Sequence, residues 1–373
     1  MQILQRMDEF IYQRKDWPNF FWDNTEIITL LSEARNLQGR LLGKMESIGF
    51  ELRDEALLET MTLEILKSAE IEGEVFNPES VRSSIAQRLG ITYAGIPMNE
   101  RNVDGMVEMV IDATRNCFIP LNKERLFDWH AALFPTGRSG IFKITVADWR
   151  KDKSGKMQVV SGAAGKETVH FIAPDAEVVD VEMSRFINWF NEDQDLDLVV
   201  KAAIAHLWFL TIHPFQDGNG RISRTLTDML LARSDKSPQR FYSMSAQIRM
   251  ERKSYYNMLE RTQRGDLDIS QWISWFLKCM ISALESTENI LNKVFRKSNF
   301  WTQNSSLSFN ERQKKVLNKL IDGFEGNLTS IKWAKIAKCS KDSAIRDIND
   351  LIEKGILNKQ DSGGRSTNYV LNY

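Results

Sequence analysis

The stretch His213-Pro214-Phe215-Gln216-Asp217-Gly218-Asn219-Gly220-Arg221-Ile222-Ser223-Arg224 gathers an imidazole, a carboxylate, two glycines and two arginines in one short run. Gly218 and Gly220 allow the backbone to turn tightly and approach a ligand. Ile222, Leu226, Met229 and Leu230 share one helical face, so the amides of Gly218, Asn219 and Gly220 stand where a helix begins. Such N–H groups, together with the helix dipole, favour an anion. Arg221 and Arg224 lie in that helix's first turn, where each positive charge opposes the dipole by about 0.3–1 kcal/mol, and this implies a compensating anion. A polyphosphate would supply it, because the guanidinium fork matches phosphate oxygens. Asp217 is then an oxygen ligand placed for a divalent cation such as Mg2+, which needs only one or two carboxylates beside phosphates. His213, next to the anion site and able to be neutral at pH 7, is the expected general base. A lone histidine or Asn-Gly would be read as a helix cap and an ordinary loop; the whole constellation argues otherwise. No Gly-Lys-Ser/Thr follows, which disfavours a P-loop NTPase.

The elements that must hold this loop are mainly helices. Only 8 Pro and 20 Gly are spread over 373 residues, and most segments repeat with a 3.6-residue period. A strongly apolar helix from about Leu196 to Thr211 leads into the loop and ends because Pro214 disfavours helical geometry at His213. Residues 1–95 read as an all-helical region. It contains the aromatic cluster Trp17-Pro18-Asn19-Phe20-Phe21-Trp22 and a helix from about Asp54 that stops near Gly73. The clear strand signal is a β-hairpin, Met157 to Ser161 and Thr168 to Phe171. Helices at Glu182–Asn191, Ala246–Arg261 and Ile269–Leu284 complete a core over 96–290, and the polar run at 291–305 reads as a linker. Residues 306–373 carry 12 Lys and Arg against 8 Asp and Glu, a net of +4. Three helices followed by two short strands flanking Gly363-Gly364 fit a winged helix-turn-helix there.

Composition bounds the rest. The length suggests two or three domains, and 10 Trp with 20 Phe are ample for a core. The balance of 49 Lys and Arg against 50 Asp and Glu excludes a wholesale polyanion binder. Cys117, Cys279 and Cys339 lie far apart without metal-ligand spacing, which implies a reducing compartment. The most apolar stretch, Leu198 to Phe215, carries Lys201, His206 and His213 and does not suit a bilayer. The first residues are no signal peptide. A soluble, cytoplasmic protein without a membrane partner is expected.

Residues His213 to Arg224 match without departure the HPFxDGNGRxxR signature of the Fic (Fido) family, whose typical members transfer AMP from ATP to protein hydroxyls. The resemblance spans about residues 96–290, the hairpin being similar to the family's flap, and residues 1–95 resemble the helical domain that precedes some bacterial Fic cores. It implies His213 as base and Asp217 as Mg2+ ligand. It also implies an ATP site made by Phe215, Asp217, Gly218, Asn219, Gly220, Arg221 and Arg224. Kinase-like members carry Lys where Gly220 stands, so Gly220-Arg221 favours AMP transfer. Ser68-Ala69-Glu70-Ile71-Glu72-Gly73 matches the family's (S/T)xxxE(G/N) inhibitory motif, with Ser68 and Glu72 on one helix face. By resemblance Glu72 pairs with Arg224 in place of the γ-phosphate; spacing alone does not choose Glu72 over Glu70 or Glu74. In some relatives the same glutamate supports removal of AMP.

The flap residues Gln158, Val159 and Val160 would take a target segment by strand addition, although a plain structural sheet is the alternative. Of Tyr255 and Tyr256 on the following helix, Tyr256 is favoured against adenine. In the last segment the expected recognition helix carries Lys341, Ser343, Arg346 and Asn349, but Asp342, Asp347 and Asp350 lower its attraction for phosphate. Arg365 falls in the expected wing. The partners expected are a protein with a hydroxyl side chain, the chain itself included, duplex DNA through 306–373, and a second copy of the chain. The rival reading is a DNA-binding regulator whose Fic core senses nucleotide, with 306–373 open to a protein-interaction role as well.

Overall fold

A computed structural model describes residues 10–91, 101–152, 155–162, 166–193, 195–321, 323–324, 326–360 and 367–372. Two units make up the chain, Met1–Glu288 and Asn289–Tyr373. The first unit is built on helices α1 (Asn24–Glu46), α2 (Phe50–Ile71), α3 (Pro78–Leu89), α4 (Arg101–Arg115) and α5 (Lys123–Leu133), then α6 (Ala176–Asn191), α7 (Leu198–Ile212), α8 (Asn219–Asp235), α9 (Met244–Met250), α10 (Arg252–Gln263) and α11 (Ser270–Gln303), which runs on into the second unit. Between α5 and α6 lie two antiparallel pairs, β1 (Arg138–Ser139) with β2 (Phe142–Lys143) and β3 (Gln158–Ser161) with β4 (Thr168–Ile172).

Helix α7 is the centre of this unit. Every residue from Val199 to Ile212 is buried, the mark of a helix that is apolar all round and walled by other elements. Its main neighbour is α8, whose Ile222, Leu226, Met229 and Leu230 are fully buried, each worth about 1.5–3 kcal/mol in removed apolar surface. Helices α4 and α5 meet behind them at Gly105, where a Cβ would collide with the Ala132 carbonyl. The pair α7–α8 is thus clamped, and the loop between them is held at both ends.

Two further elements reach that loop. Helix α2 packs on α9 and α3 and ends in Gly73, whose φ of 85° closes the helix while the Glu74 N–H donates to the Ala69 carbonyl at 3.0 Å. In the β3–β4 hairpin, Gln158 faces Ile172 and Ser161 faces Thr168, with a register shift between Val159 and Val160. Its base packs on Phe10 and Phe171, Val159 included.

The expected linker at 291–305 is helical as far as Gln303. Leu291, Val294 and Phe300 are buried, so the apolar positions among the polar ones carry the helix on. The second unit continues with α12 (Glu311–Ile321), α13 (Ser330–Ala337), α14 (Lys341–Glu353), and the antiparallel strands β5 (Leu357–Gln360) and β6 (Asn368–Leu371). Val316, Leu317, Trp333, Ile348, Leu351 and Leu357 form its core. Gly363, Gly364 and Arg365 lie outside the described residues.

Candidate active site

Helix α7 terminates on His213, which adopts the left-handed conformation (φ 52°) and donates its N–H to Phe209 O at 2.9 Å. A non-glycine residue seldom takes that conformation; here the buried Arg150 fixes it, its Nε donating to His213 O at 2.8 Å and its backbone N–H to Pro214 O at 2.9 Å. His213 Nδ1 lies 3.3 Å from Leu210 O. A carbonyl only accepts, so Nδ1 carries the proton and Nε2 holds the lone pair. The packed surroundings push the ring's pKa down to about 4, so it is neutral at pH 7 and suited to take a proton.

The loop that follows is closed from within. Asn219 Oδ1 accepts from Phe215 N at 3.0 Å, and Asn219 Nδ2 donates to Phe215 O at 2.8 Å. The Asn219 side chain therefore shapes the loop, and what it offers an anion is its backbone N–H. Phe215, expected among the ATP contacts, is fully buried, its ring stacked on His130 at 4.2 Å. That side chain anchors the loop from below and does not face a ligand. His130 also donates from Nε2 to Asp217 O at 3.2 Å while its Nδ1 accepts from Ala147 N at 3.2 Å. Burial lowers its pKa to about 4, which keeps the ring neutral. Neither Arg150 nor His130 stood out in the sequence, because their partners lie 63 and 87 residues away.

Helix α8 begins without a side-chain cap. Its N-cap is Gly218, at φ 84°, and no side chain accepts from the first amides. By helix geometry the N–H groups of Asn219, Gly220 and Arg221 have no intrahelical partner. Asp217 flanks this start, accepting from Gly218 N at 2.6 Å and from the Ser139 hydroxyl, with its side chain 41% exposed. Two buried arginines follow, Arg221 in the first turn and Arg224 in the second. Arg224 donates from Nε to Ser68 Oγ at 2.9 Å, and from one terminal nitrogen to Ser68 O at 3.0 Å and Glu72 Oε1 at 2.8 Å. Although burial works against its charge, the Glu72 carboxylate keeps the guanidinium firmly protonated. A Cβ on Gly220 would fall on Glu72 Oε1. The carboxylate of Glu72 therefore rests against the open helix start itself.

Glu70 points elsewhere, pairing with Lys67 at 2.7 Å and Arg249 at 3.4 Å. Glu74 is the residue that the sequence reading missed. After the turn at Gly73 its carboxylate returns to Arg221 at 2.9 Å, while the Arg221 guanidinium lies over the Phe134 ring at 4.9 Å. Tyr256 borders the same place: it is 37% exposed, and burial followed by the charge of Glu72 raises its pKa. Tyr255, by contrast, is buried, its hydroxyl 2.9 Å from His206 Nε2. On the hairpin Gln158 and Val160 are exposed, whereas Val159 is partly buried in the cluster beneath.

The arrangement can bind a polyanion at a helix start, hold it with two arginines and accept a proton beside it. Among the described residues no group of three or more His, Cys, Asp or Glu could by itself hold a metal ion. Asp217, a single accessible carboxylate beside an anion site, fits Mg2+, which takes its remaining ligands from phosphates and water.

Known proteins match parts of this chain. Residues 120–231 match the Fic/DOC family, and residues 10–91 match a domain of unknown function (DUF4172). The protein adenylyltransferase Fic of Drosophila mojavensis is 37% identical over 98 residues, 26% of this chain and 18% of that protein. The protein adenylyltransferase fic-1 of Caenorhabditis elegans is 25% identical over 293 residues, 72% of this chain and 53% of that one. This chain thus spans about a fifth of the first relative and about half of the second. A Fic family protein from Desulfovibrio desulfuricans G20 shares the fold with a TM-score of 0.54 over 94% of this chain and 97% of that one, at 19% identity. The loop from His213 to Arg224 lies inside the segment, residues 120–231, that matches the Fic/DOC family.

Proposed function

We propose that this protein is an adenylyltransferase that moves AMP from ATP to a Ser, Thr or Tyr hydroxyl of a protein, itself included, and that Glu72 restrains it. The observation that carries this reading is a neutral imidazole with its Nε2 lone pair available, next to an uncapped helix start under two buried arginines. The relatives named protein adenylyltransferase support it. In the reaction the target oxygen attacks the α-phosphorus and its proton passes to His213 Nε2. The bond from the α-phosphorus to the bridging oxygen breaks, and pyrophosphate leaves. The first amides of α8 and the two guanidinium groups stabilise charge on the phosphates. Mg2+, when held by Asp217, would neutralise part of that charge. Gln158 and Val160 on the open hairpin would align the target segment.

Glu72 pairs with Arg224 where the terminal phosphate would bind, so the unsubstituted chain is slow. The test is intact-mass measurement after incubation with ATP and Mg2+. Glu72→Gly should gain AMP, on itself or on added protein, well beyond the parent chain. No AMP on either form refutes the transfer reading. Returning the modified protein to the parent chain reports whether Glu72 also supports AMP removal. Buried Cys117 and Cys279, both unpaired, support a reducing compartment such as the cytoplasm. Among the described residues no helix is long and apolar enough to cross a membrane.

For the second unit we propose a winged helix that binds duplex DNA through α14. Asp347 is bound internally by Arg312 at 2.8 and 2.9 Å, and Asp350 by Gln313 at 2.7 Å and Lys354 at 2.6 Å. Two of the three acids expected to repel phosphate are thereby neutralised, while Lys338, Lys341, Arg346 and Asn349 remain exposed. Binding by the full chain should weaken steeply with salt. Absence of a gel shift at low salt would assign this face to a protein partner. ATP that alters DNA affinity without any AMP transfer would favour a nucleotide-sensing regulator.

A further inference from the structure

The β3–β4 hairpin is held by two kinds of contact along its length. At its base Met157, Val159, Phe171 and Ile172 pack around Phe10. Beyond Val159 the hairpin leaves that cluster: Val160 is 48% exposed, and Ser161 and Thr168 are exposed as well. The change coincides with a break in the ladder. Val159 faces Phe171 and Val160 faces Val169, so one step along β3 is met by two along β4. His170 is the extra residue, and a bulge of this kind re-aims a side chain. Its Nδ1 lies 2.7 Å from Glu260 Oε2 on α10, and its Nε2 lies 2.6 Å from Ser161 Oγ on β3.

The Glu260 carboxylate only accepts, so His170 Nδ1 carries a proton and donates it. A serine hydroxyl can donate to Nε2 or accept from it, so the second link fits either state of the ring. Glu260 has a further partner in Arg264, whose Nε lies 3.3 Å from Oε1. From a terminal nitrogen Arg264 donates to the Val169 carbonyl at 3.1 Å, and its guanidinium lies over the Phe10 ring at 5.3 Å. Two consecutive residues at the bulge, Val169 and His170, are thus tied to α10. Tyr256 and Glu260, four apart, share one face of that helix, with Arg264 four further on at its C-terminal cap. The same helix edge borders the nucleotide site with Tyr256 and grips the hairpin one turn later. Neighbours at this spacing stand about 5–6 Å apart, which sets the hairpin at a fixed offset from the site.

We propose that Glu260 and His170 are positioning residues for the protein substrate: they fix the outer half of the hairpin to α10, so that an extended target segment added along β3 brings its hydroxyl to the nucleotide. Strand β4 is the one that lies beside α10, and among the described residues no further strand pairs with β3. With Gln158, Val160 and Ser161 exposed, β3 is the edge left for the target. The proposal rests on the AMP-transfer reading for its substrate and on the hairpin's own contacts for its residues.

The experiment uses the full chain with Glu72→Gly as enzyme and the full chain with His213→Ala as protein acceptor. Adding Glu260→Ala to the enzyme should raise KM for the acceptor by about fivefold, the most that a pair one-third exposed is worth. The loss should fall on KM and not on kcat, and the affinity for ATP, read by calorimetry, should hold. His170→Ala should act like Glu260→Ala, and the two together should be no worse than either. Glu260→Gln, whose amide oxygen still accepts from Nδ1–H, should restore most of the lost affinity for the acceptor. Hydrogen exchange gives a second reading on the same chains. With Glu260→Ala the amides of 158–161 and 168–170 should exchange faster, and those of α7 and α8 as before. An unchanged KM for the acceptor, a matching loss of ATP affinity, or unchanged exchange in the hairpin overturns the proposal. Faster exchange in the hairpin with no AMP on the acceptor from any form overturns the transfer reading alone.

Discussion

Helices α7 and α8 pack against each other and begin in opposite ways. The start of α7 is closed by Asp197, whose Oδ1 accepts from Val199 N at 2.8 Å while the same carboxylate pairs with Arg35 at 2.8 Å. The start of α8 has Gly218 at the cap, no closing side chain, and Arg221 in its first turn with Arg224 in the next. Both starts carry the partial positive charge of a helix N-terminus, and both meet a carboxylate. At α7 that carboxylate belongs to the cap residue and cannot leave. At α8 it belongs to Glu72, 152 residues from Arg224 in the chain, so another anion can replace it. A built-in cap makes a helix start structural, whereas a borrowed one makes it a site with a removable occupant.

The largest effect expected from breaking this contrast is at the base beside the open start. His213→Ala should lower AMP transfer by about 10²–10⁴-fold with ATP binding largely kept, since the phosphate contacts come from α8. Loss of ATP binding in proportion to activity would remove His213 from the role of base. The lowered pKa of about 4 adds a pH test. A base must be neutral to act, and the imidazole stays neutral down to that value, so with His213 as the base transfer by Glu72→Gly should stay level from pH 8 to about pH 5 and fall below. An acid limb centred near 6.5, the ordinary histidine value, would place the ring in solvent.

A smaller effect is expected from the second borrowed carboxylate. Glu74 pairs with Arg221, but its side chain is 40% exposed, and such pairs are worth only about 0–1 kcal/mol. Glu74→Gln should therefore raise AMP incorporation by no more than about fivefold, adding to the gain from Glu72→Gly. Glu70→Gln should change nothing, because its partners Lys67 and Arg249 lie outside the loop. Equal gains from the Glu70 and Glu74 variants would mean that general charge, and not the two ion pairs, governs entry of ATP.

The two carboxylates also mark the border of what sequence could disclose. The loop was legible because His213, Asp217, Gly218, Gly220 and both arginines lie within one turn-and-helix start, where spacing fixes geometry. Helix α7 was legible from its unbroken apolar run and Pro214, and α13 from its periodicity. Glu74 was not, because its contact depends on how the chain turns back after Gly73. Phe215 is expected among the ligand contacts because it falls inside the motif, yet its apolar ring lies in the core against His130. The polar run near Arg296 resembled a linker because its buried partners, Leu291, Val294 and Phe300, are sparse. Local pattern reports the backbone's course; burial depends on residues far away.

The smallest effect belongs to the closed start of α7. Asp197→Ala removes the cap and should lower stability by about 0.5–2 kcal/mol, a fall in Tm of about 2–4 °C for each kcal/mol in a unit of this size. It should leave the affinity for ATP unchanged, because α7 offers its first amides to no ligand. Asp197→Asn sharpens the point. An asparagine oxygen can still accept from Val199 N, but the charge facing Arg35 is gone. That ion pair is about one-third exposed, so its loss alone should cost well under about 1 kcal/mol. Asn at 197 should thus behave nearly as the parent, and Ala should not. If both substitutions instead shift ATP affinity as much as Glu74→Gln does, the difference between a fixed cap and an exchangeable one is not what separates these two helices.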